Sequence, residues 1–374
     1  MLRLFKRISH RSLFNTIESL EIHGSPNDKA EFEIYKNKVK ENITEFDNIV
    51  IKKLKYLNRH HENTMKHNVM VAHDVKYISE KIGLPKDEVH DLFIAALLHD
   101  IGKIDIIALI LDLTKEDEEM IFEMKKKDSP NKFRFVKKKG NLLELITVEN
   151  FLKYMPMIDK GFNSEKVLLF IKERKIPLNW TLRNYLSHHQ QRTKEILTEL
   201  KVDPKVVEYA AHHHPEYFSE DLMLDWRCYI VSTADKFNAL IQSEGVRKYA
   251  TKKNRIKALD IIIGCLEKEI KVSMFNTKVK KIIQILGKKY VSIELNDFLL
   301  PYANSILRVI RSEKRVSNEL FRDIETLLVN IETTFEVNDK VKYILDEDII
   351  KRLANIESEL KTKIGITVPV REVA

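Results

Sequence analysis

Histidine and aspartate stand side by side in Ala95-Ala96-Leu97-Leu98-His99-Asp100-Ile101-Gly102-Lys103, at the end of a run whose apolar residues suit a helix. Neutral imidazole and carboxylate are ligand types of Mn, Fe, Zn and Ni sites, so the pair is a candidate metal anchor. Other histidines lie near helix ends or in apolar helical contexts: His60 and His61, His67, His188 and His189, and His212 to His214. Asp235, in Tyr229-Ile230-Val231-Ser232-Thr233-Ala234-Asp235, adds a second carboxylate with apolar flanks. A lone histidine on such a face ordinarily makes a core hydrogen bond. Several, together with two such aspartates, point to a metal site.

These side chains need rigid elements to converge, and the pattern throughout is helical. The fold expected is all-α, a bundle with ligands projecting inward from facing helices. Residues 1–50 read as two helices with a break at Gly24-Ser25-Pro26-Asn27-Asp28. A helix over residues 51–82 carries His67, Gly83-Leu84-Pro85 stops it, and the next helix ends at His99-Asp100. Thr114, three residues before Asp117, is placed to cap a helix running to about Lys127. Residues from about 128 to 180 read as an inserted helical segment or lid. Helices then carry His188 and His189, Lys205 to Ala211 with His212-His213-His214-Pro215 after it, and Asp235. The division expected is an N-terminal helical region at 1–50, a chemical domain at 51–254 and a C-terminal helical region at 255–374. In the last, Leu320, Ile324, Leu327 and Leu328 keep helical spacing.

Composition narrows the function classes. An apolar content of 44% with only 9 Gly and 9 Pro excludes a largely disordered chain. The balance of 64 Lys+Arg against 56 Asp+Glu, net +8, suits an anionic ligand such as a nucleotide. Both signs are interspersed as on an ordinary solvated surface, so nucleic acid is not an expected partner. No apolar run reaches the ~18–20 residues of a membrane span. Lys6, Arg7, His10 and Arg11 interrupt the apolar residues of the first twenty, so no signal-peptide core forms. Two cysteines, Cys228 and Cys265, with no CxxC pair, fit a reducing cytoplasm.

The order of these residues resembles the HD superfamily of metal-dependent phosphohydrolases, and within it the HD-GYP branch, whose members hydrolyse cyclic dinucleotides. "NTMKHN" resembles its Thr-x-x-His start through Thr64 and His67, and HDIGK is present from His99 to Lys103. "LTKEDEE" resembles its Leu-Thr-x-x-Glu helix, and "HHQQRTKEIL" places its next histidine at His189. Its His-His pair falls on His213 and His214 if Tyr209 takes the buried position, or on His212 and His213 in the alternative register. Ala234 to Leu240 resembles its Ala-Asp-x-x-Asp-Ala-Leu segment, and Arg247-Lys248-Tyr249 its substrate-gripping Arg-x-Tyr.

The resemblance covers about residues 60–250, with departures. The Gly-Tyr-Pro signature is absent, since "PEYFSEDLMLD" follows His214. Asn63 stands where some members place a carboxylate for a third metal, which implies two. The segment between Lys127 and His189 is longer than the family usual. On this resemblance His67, His99, Asp100 and Asp235 hold one divalent ion, Mn or Fe, and Asp100 bridges to a second held by His189, His213 and His214. A hydroxide bridging the two ions then attacks phosphorus, and Lys103 and Arg247 grip the phosphate or neutralise its charge. The implied activity is phosphodiester hydrolysis of a cyclic dinucleotide, cyclic di-GMP in the simplest case, to linear dinucleotide or mononucleotide. The alternatives are an HD phosphohydrolase of another nucleotide, or a degenerate module that binds a nucleotide or a partner. The flanking helices then serve regulation or homodimer formation.

Overall fold

The helix carrying His67 begins one residue after a break. His61 is extended (φ −154°, ψ 91°), and its Nδ1 accepts the Thr64 backbone N–H at 3.2 Å. This cap satisfies one of the free amides of the first turn. The span 51–82 is therefore two helices, Asn48–His60 and Glu62–Ile82, and not the single one its periodicity predicts. Apolar spacing persists across the junction, so periodicity does not report it.

The computed structural model describes residues 17–21, 26–42, 48–128, 142–214, 224–241, 258–259, 261–262, 273–293, 299–312, 317, 320–329, 331 and 347–363. All the named elements are helices: α1 (Pro26–Asn42), α2 (Asn48–His60), α3 (Glu62–Ile82), α4 (Lys86–Leu98), α5 (Lys115–Asp128), α6 (Val148–Ile158), α7 (Ser164–Glu173), α8 (Leu182–Ser187), α9 (His189–Glu199), α10 (Pro204–Ala211) and α11 (Cys228–Ile241). A 3-10 turn, Ile101–Asp105, follows α4. Among the described residues no strand forms, in keeping with the all-α expectation. No described helix is long and apolar enough to cross a membrane.

The chain divides into two compact units, Met1–Lys252 and Lys253–Ala374. In the first, α3 is central, packed by α1, α2, α4 and α11. Its residues Thr64 to Val75 are buried without interruption, polar His67, Asn68, His73 and Asp74 included. Such groups stay inside only when hydrogen-bonded: Asn68 Nδ2 donates to the Leu97 carbonyl at 3.0 Å and Asn238 Nδ2 to Asp74 Oδ2 at 2.8 Å. Gly83 ends α3 at φ 88°, and the bonds Gly83 N–H to Glu80 O (3.1 Å) and Leu84 N–H to Ser79 O (3.2 Å) close the last turn. A left-handed residue there favours glycine.

The described part of the long segment after α5 is built on an apolar core. Ile106, Ile110, Phe122, Ile146, Phe151, Ile171 and Tyr185 are buried together, joining α5 to α8 with the chain just past the 3-10 turn. Thr114 and Asp117 cap α5 reciprocally, at 2.8–3.1 Å.

In the second unit, Ser273–Ile293 (α12), Leu300–Ser312 (α13) and Glu347–Lys363 (α14) are helical. Leu300, Ala303, Ile306, Leu307 and Ile310 form the buried stripe of α13, and Arg311 pairs with Glu359 of α14 through two bonds of 2.8 Å. Leu320, Ile324, Leu327 and Leu328 are buried, as their spacing predicts.

Candidate metal centre

Three histidines are aimed by one device. His99 follows the last residue of α4, His189 follows α8 at the start of α9, and His213 follows α10. Carbonyls in the last turn of a helix have no intrahelical partner. Each imidazole takes one: His99 Nδ1 donates to Ala96 O at 2.7 Å, His189 Nδ1 to Leu186 O at 2.6 Å, and His213 Nδ1 to Ala210 O at 2.7 Å. With Nδ1 as donor, each ring turns its Nε2 to the other side, as a bare lone pair wherever the ring is neutral.

Those Nε2 atoms converge. His189 Nε2 and His213 Nε2 lie 3.1 Å apart, and Asp100 Oδ1 is 3.4 Å from the first and 3.8 Å from the second. Asp100 Oδ2 is 3.4 Å from His99 Nε2 and 2.5 Å from Lys103 Nζ. Asp235 Oδ1 is 2.7 Å from His67 Nε2 and 3.7 Å from His99 Nε2, while its Oδ2 is 3.8 Å from His214 Nε2. All seven residues expected as ligands are thus together. His67, His99, Asp100, His189, His213 and Asp235 are buried, and His214 is partly exposed.

The electrostatics belong to a cation site. Burial pushes the pKa of His189 down to about 3 and, with the neighbouring His214, His99 and His189, holds His213 well below the usual range. Both rings are then neutral at pH 7, with two bare lone pairs facing each other. Burial works against ionising Asp100 and Asp235, but Lys103 and His99 around the first, and His67 and His99 around the second, hold both well below the usual carboxylate range. His99 Nε2 and Asp100 Oδ1 are buried with no hydrogen-bond partner. Leaving such atoms unsatisfied costs ~1–3 kcal/mol each. First-row ions bind N and O at ~2.0–2.2 Å, which sets neighbouring ligand atoms ~3.0–3.5 Å apart. Three of the spacings above, 3.1, 3.4 and 3.4 Å, fall in that range, those at 2.7 and 3.7–3.8 Å lie just outside it, and the donor set is of the right type.

Three overlapping groups are close enough to hold an ion: His67 with His99 and Asp100, His99 with His213 and Asp235, and His189 with His213 and His214. Each carboxylate presents its two oxygens to different histidines, so Asp235 spans the cluster as Asp100 does. His212 points elsewhere, near Glu208 and Cys228. His188 stacks edge-on against Trp180 at 5.0 Å, and His60 Nε2 bonds Ile106 O at 2.6 Å. Lys103 is spent on Asp100 in this state. Arg247 lies outside the described residues.

Two supporting residues escaped sequence reasoning. Gly102 N–H donates to Thr193 Oγ1 at 3.0 Å, and that hydroxyl donates to the His99 carbonyl at 2.9 Å, binding the 3-10 turn to α9. Thr193 is four residues after His189, on the same helical face, and that spacing was the available signal. Asn238, three residues after Asp235, joins Asp74 to the Ala234 carbonyl (2.8 and 2.9 Å) beneath the cluster.

Residues 64–156 match the HD domain family. The match takes in His67, His99 and Asp100 and ends before His189. Among solved structures, the HD domain of the L. monocytogenes phosphodiesterase PgpH is similar, at 16% identity over 63% of this chain and 94% of that one, with a TM-score of 0.36. The same domain in complex with cyclic-di-AMP follows at 15% identity, over 65% and 95%, with a TM-score of 0.35. No curated protein matches the chain. The family match, over residues 64–156, encloses the histidine-aspartate pair around which the buried cluster is assembled.

Proposed function

We propose that the chain is a metal-dependent phosphodiesterase that hydrolyses a cyclic dinucleotide, with residues 51–254 as its catalytic domain. The observation that carries this reading is the convergence of five imidazoles and two carboxylates in one buried cluster. His189 Nε2 and His213 Nε2 stand 3.1 Å apart while each ring's Nδ1 is turned to a backbone carbonyl, a pairing suited to a shared cation. Two divalent ions, Mn or Fe, fit a set made wholly of nitrogen and oxygen donors. When bound, such ions supply a water acidic enough to ionise near neutral pH and positive charge for phosphate oxygens.

The chain's own residues do the rest. Backbone carbonyls at Ala96, Leu186 and Ala210 take the Nδ1 protons of His99, His189 and His213; no further proton need leave the neutral His189 and His213 rings before they bind a cation, whereas His99 must give up its Nε2 proton. Lys103 sits one bond from Asp100, with its side chain 18% exposed, and is placed to turn its charge toward a phosphate at the cluster's edge. Burial of the cluster strengthens each of these interactions by excluding water.

The reading of the substrate as a cyclic dinucleotide rests on the segments Thr64–His67, His99–Lys103, His189, His213–His214 and Ala234–Leu240 taken together. The absence of Gly-Tyr-Pro after His214 favours a second reading, an HD phosphohydrolase of another nucleotide with the same cluster. Turnover of cyclic di-GMP, of cyclic di-AMP, which the second solved domain above carries, and of linear nucleotides by Mn- or Fe-loaded protein separates the two. Cleavage of a cyclic dinucleotide that disappears in His99→Ala supports the first reading. Metal-loaded protein that cleaves only linear nucleotides supports the second.

A further inference from the structure

A second group of metal-ligating side chains lies outside the centre and shares no residue with it. Glu208, His212 and Cys228 each offer one ligand atom, and the three atoms lie within 4.8 Å of one another. Glu208 and His212 are four apart, and the His212 N–H still donates to Glu208 O at 3.1 Å, so helical geometry keeps both side chains on one face. Cys228 opens α11, held there by its N–H bond to Asp225 O at 2.9 Å. The neighbouring Arg227 Nε bonds Glu88 of α4 at 2.8 Å, which pins this end of α11.

We propose that Glu208, His212 and Cys228 form a mononuclear site for a divalent ion of the zinc type, a structural tie between the end of α10 and the start of α11. Thiolate, imidazole and carboxylate are zinc ligands, with bonds of ~2.3 Å to sulfur and ~2.0–2.2 Å to nitrogen and oxygen. Their separations, up to 4.8 Å, are wider than the ~3.5 Å between ligand atoms on one such ion, so the side chains draw together to bind it. Two surface grooves of about 440 and 610 Å³ are both lined by His212, and the larger also by Glu208, so an ion reaches the two half-buried ligands from solvent. The tie has a consequence for the centre. His212 adjoins His213, and Cys228 lies two helical turns before Asp235, so the ion fixes both elements that deliver those ligands.

Sulfur makes the test specific, because the seven residues of the centre offer none. Cobalt(II) is titrated into metal-free full-length protein carrying Cys265→Ala, which leaves Cys228 as its single thiol. The expected result is a thiolate-to-cobalt charge-transfer absorption that saturates at one ion per chain and is absent from Cys228→Ser. It persists in Asp100→Asn, which disables the centre, so this proposal and the phosphodiesterase reading fail separately. Should Cys228→Ser not fold, Glu208→Gln and His212→Asn each change a partly exposed group. Both are expected to weaken the cobalt-thiolate signal at least tenfold in apparent affinity with unchanged circular dichroism. Folded, cobalt-loaded protein without the absorption, or an absorption indifferent to both of those variants, overturns the proposal.

Discussion

A Cβ placed on Gly102 would stand 2.0 Å from the carbonyl oxygen of His189 and 2.7 Å from the Thr193 backbone nitrogen. The 3-10 turn and α9 therefore approach to a distance that only glycine permits. That approach is what brings Asp100 within 3.4 Å of His189. Gly102→Ala is expected to force the two elements apart, at an overpacking cost of ~1–3 kcal/mol. Its measurable effect is a lowered Tm together with loss of at least one bound metal per chain. Full metal content in this variant would show that the close approach does not set the cluster.

Thr193 makes the same junction through its hydroxyl. Thr193→Val keeps the shape and removes bonds of 2.9 and 3.0 Å, leaving a buried carbonyl and amide unsatisfied. The expected loss is ~1–3 kcal/mol of stability, with weakened metal affinity, and Thr193→Ser is expected to restore most of both. Chemical denaturation with parallel metal titration of the three proteins reads this. Equal behaviour of Val and Ser variants would reduce Thr193 to packing alone.

Asp100→Asn removes one charge from a carboxylate surrounded by His99, His189, His213 and Lys103. Elemental analysis is expected to show the centre's metal lost, and hydrolysis should fall by at least a thousandfold, the scale of a lost charge-stabilising group in a dry site. Turnover near the unmodified level would mean the reaction occurs elsewhere.

The metal-free protein should be most stable near pH 6.5. His189 is held at about pH 3 by burial, whereas an unfolded histidine titrates near 6.5, so between those values the unfolded chain binds the extra proton. Stability therefore falls as pH drops through that window, and His213 acts in the same direction. For His99, burial opposes the charge but Asp100 and Asp235 outweigh it and raise its pKa to about 9. There the native state keeps a proton that the unfolded chain has lost, so stability also falls as pH rises from 6.5 to 9. Metal binding displaces that proton, so added Mn should remove the alkaline decline. Melting curves with chelator and with metal, taken from about pH 4 to about pH 10, check both flanks. A metal-free Tm still climbing above pH 6.5 would contradict the role given to His99.

Much of this was legible in the order of residues. Helical spacing, the turn at Gly83, the Thr114 cap and the ligand types at His67, His99, Asp100, His189, His213, His214 and Asp235 are local properties, set by side-chain chemistry and by intervals of three and four residues. Periodicity could not show the break at His61, because apolar residues at helical spacing continue on both sides of it. Nor could it choose between His212 and His214 beside His213. Successive residues past a helix end diverge by about a third of a turn, and which one meets Asp235 depends on how α10 packs against α11. The backbone carbonyls that orient three imidazoles, the space denied to a Cβ at Gly102, and the separation of His212 toward Glu208 and Cys228 exist only once distant helices are in contact. The sequence by itself determined which groups were available and that helices would carry them. Tertiary packing decided which atoms face one another, since distances between residues 67, 99, 189 and 235 are fixed by the core and not by the chain between them.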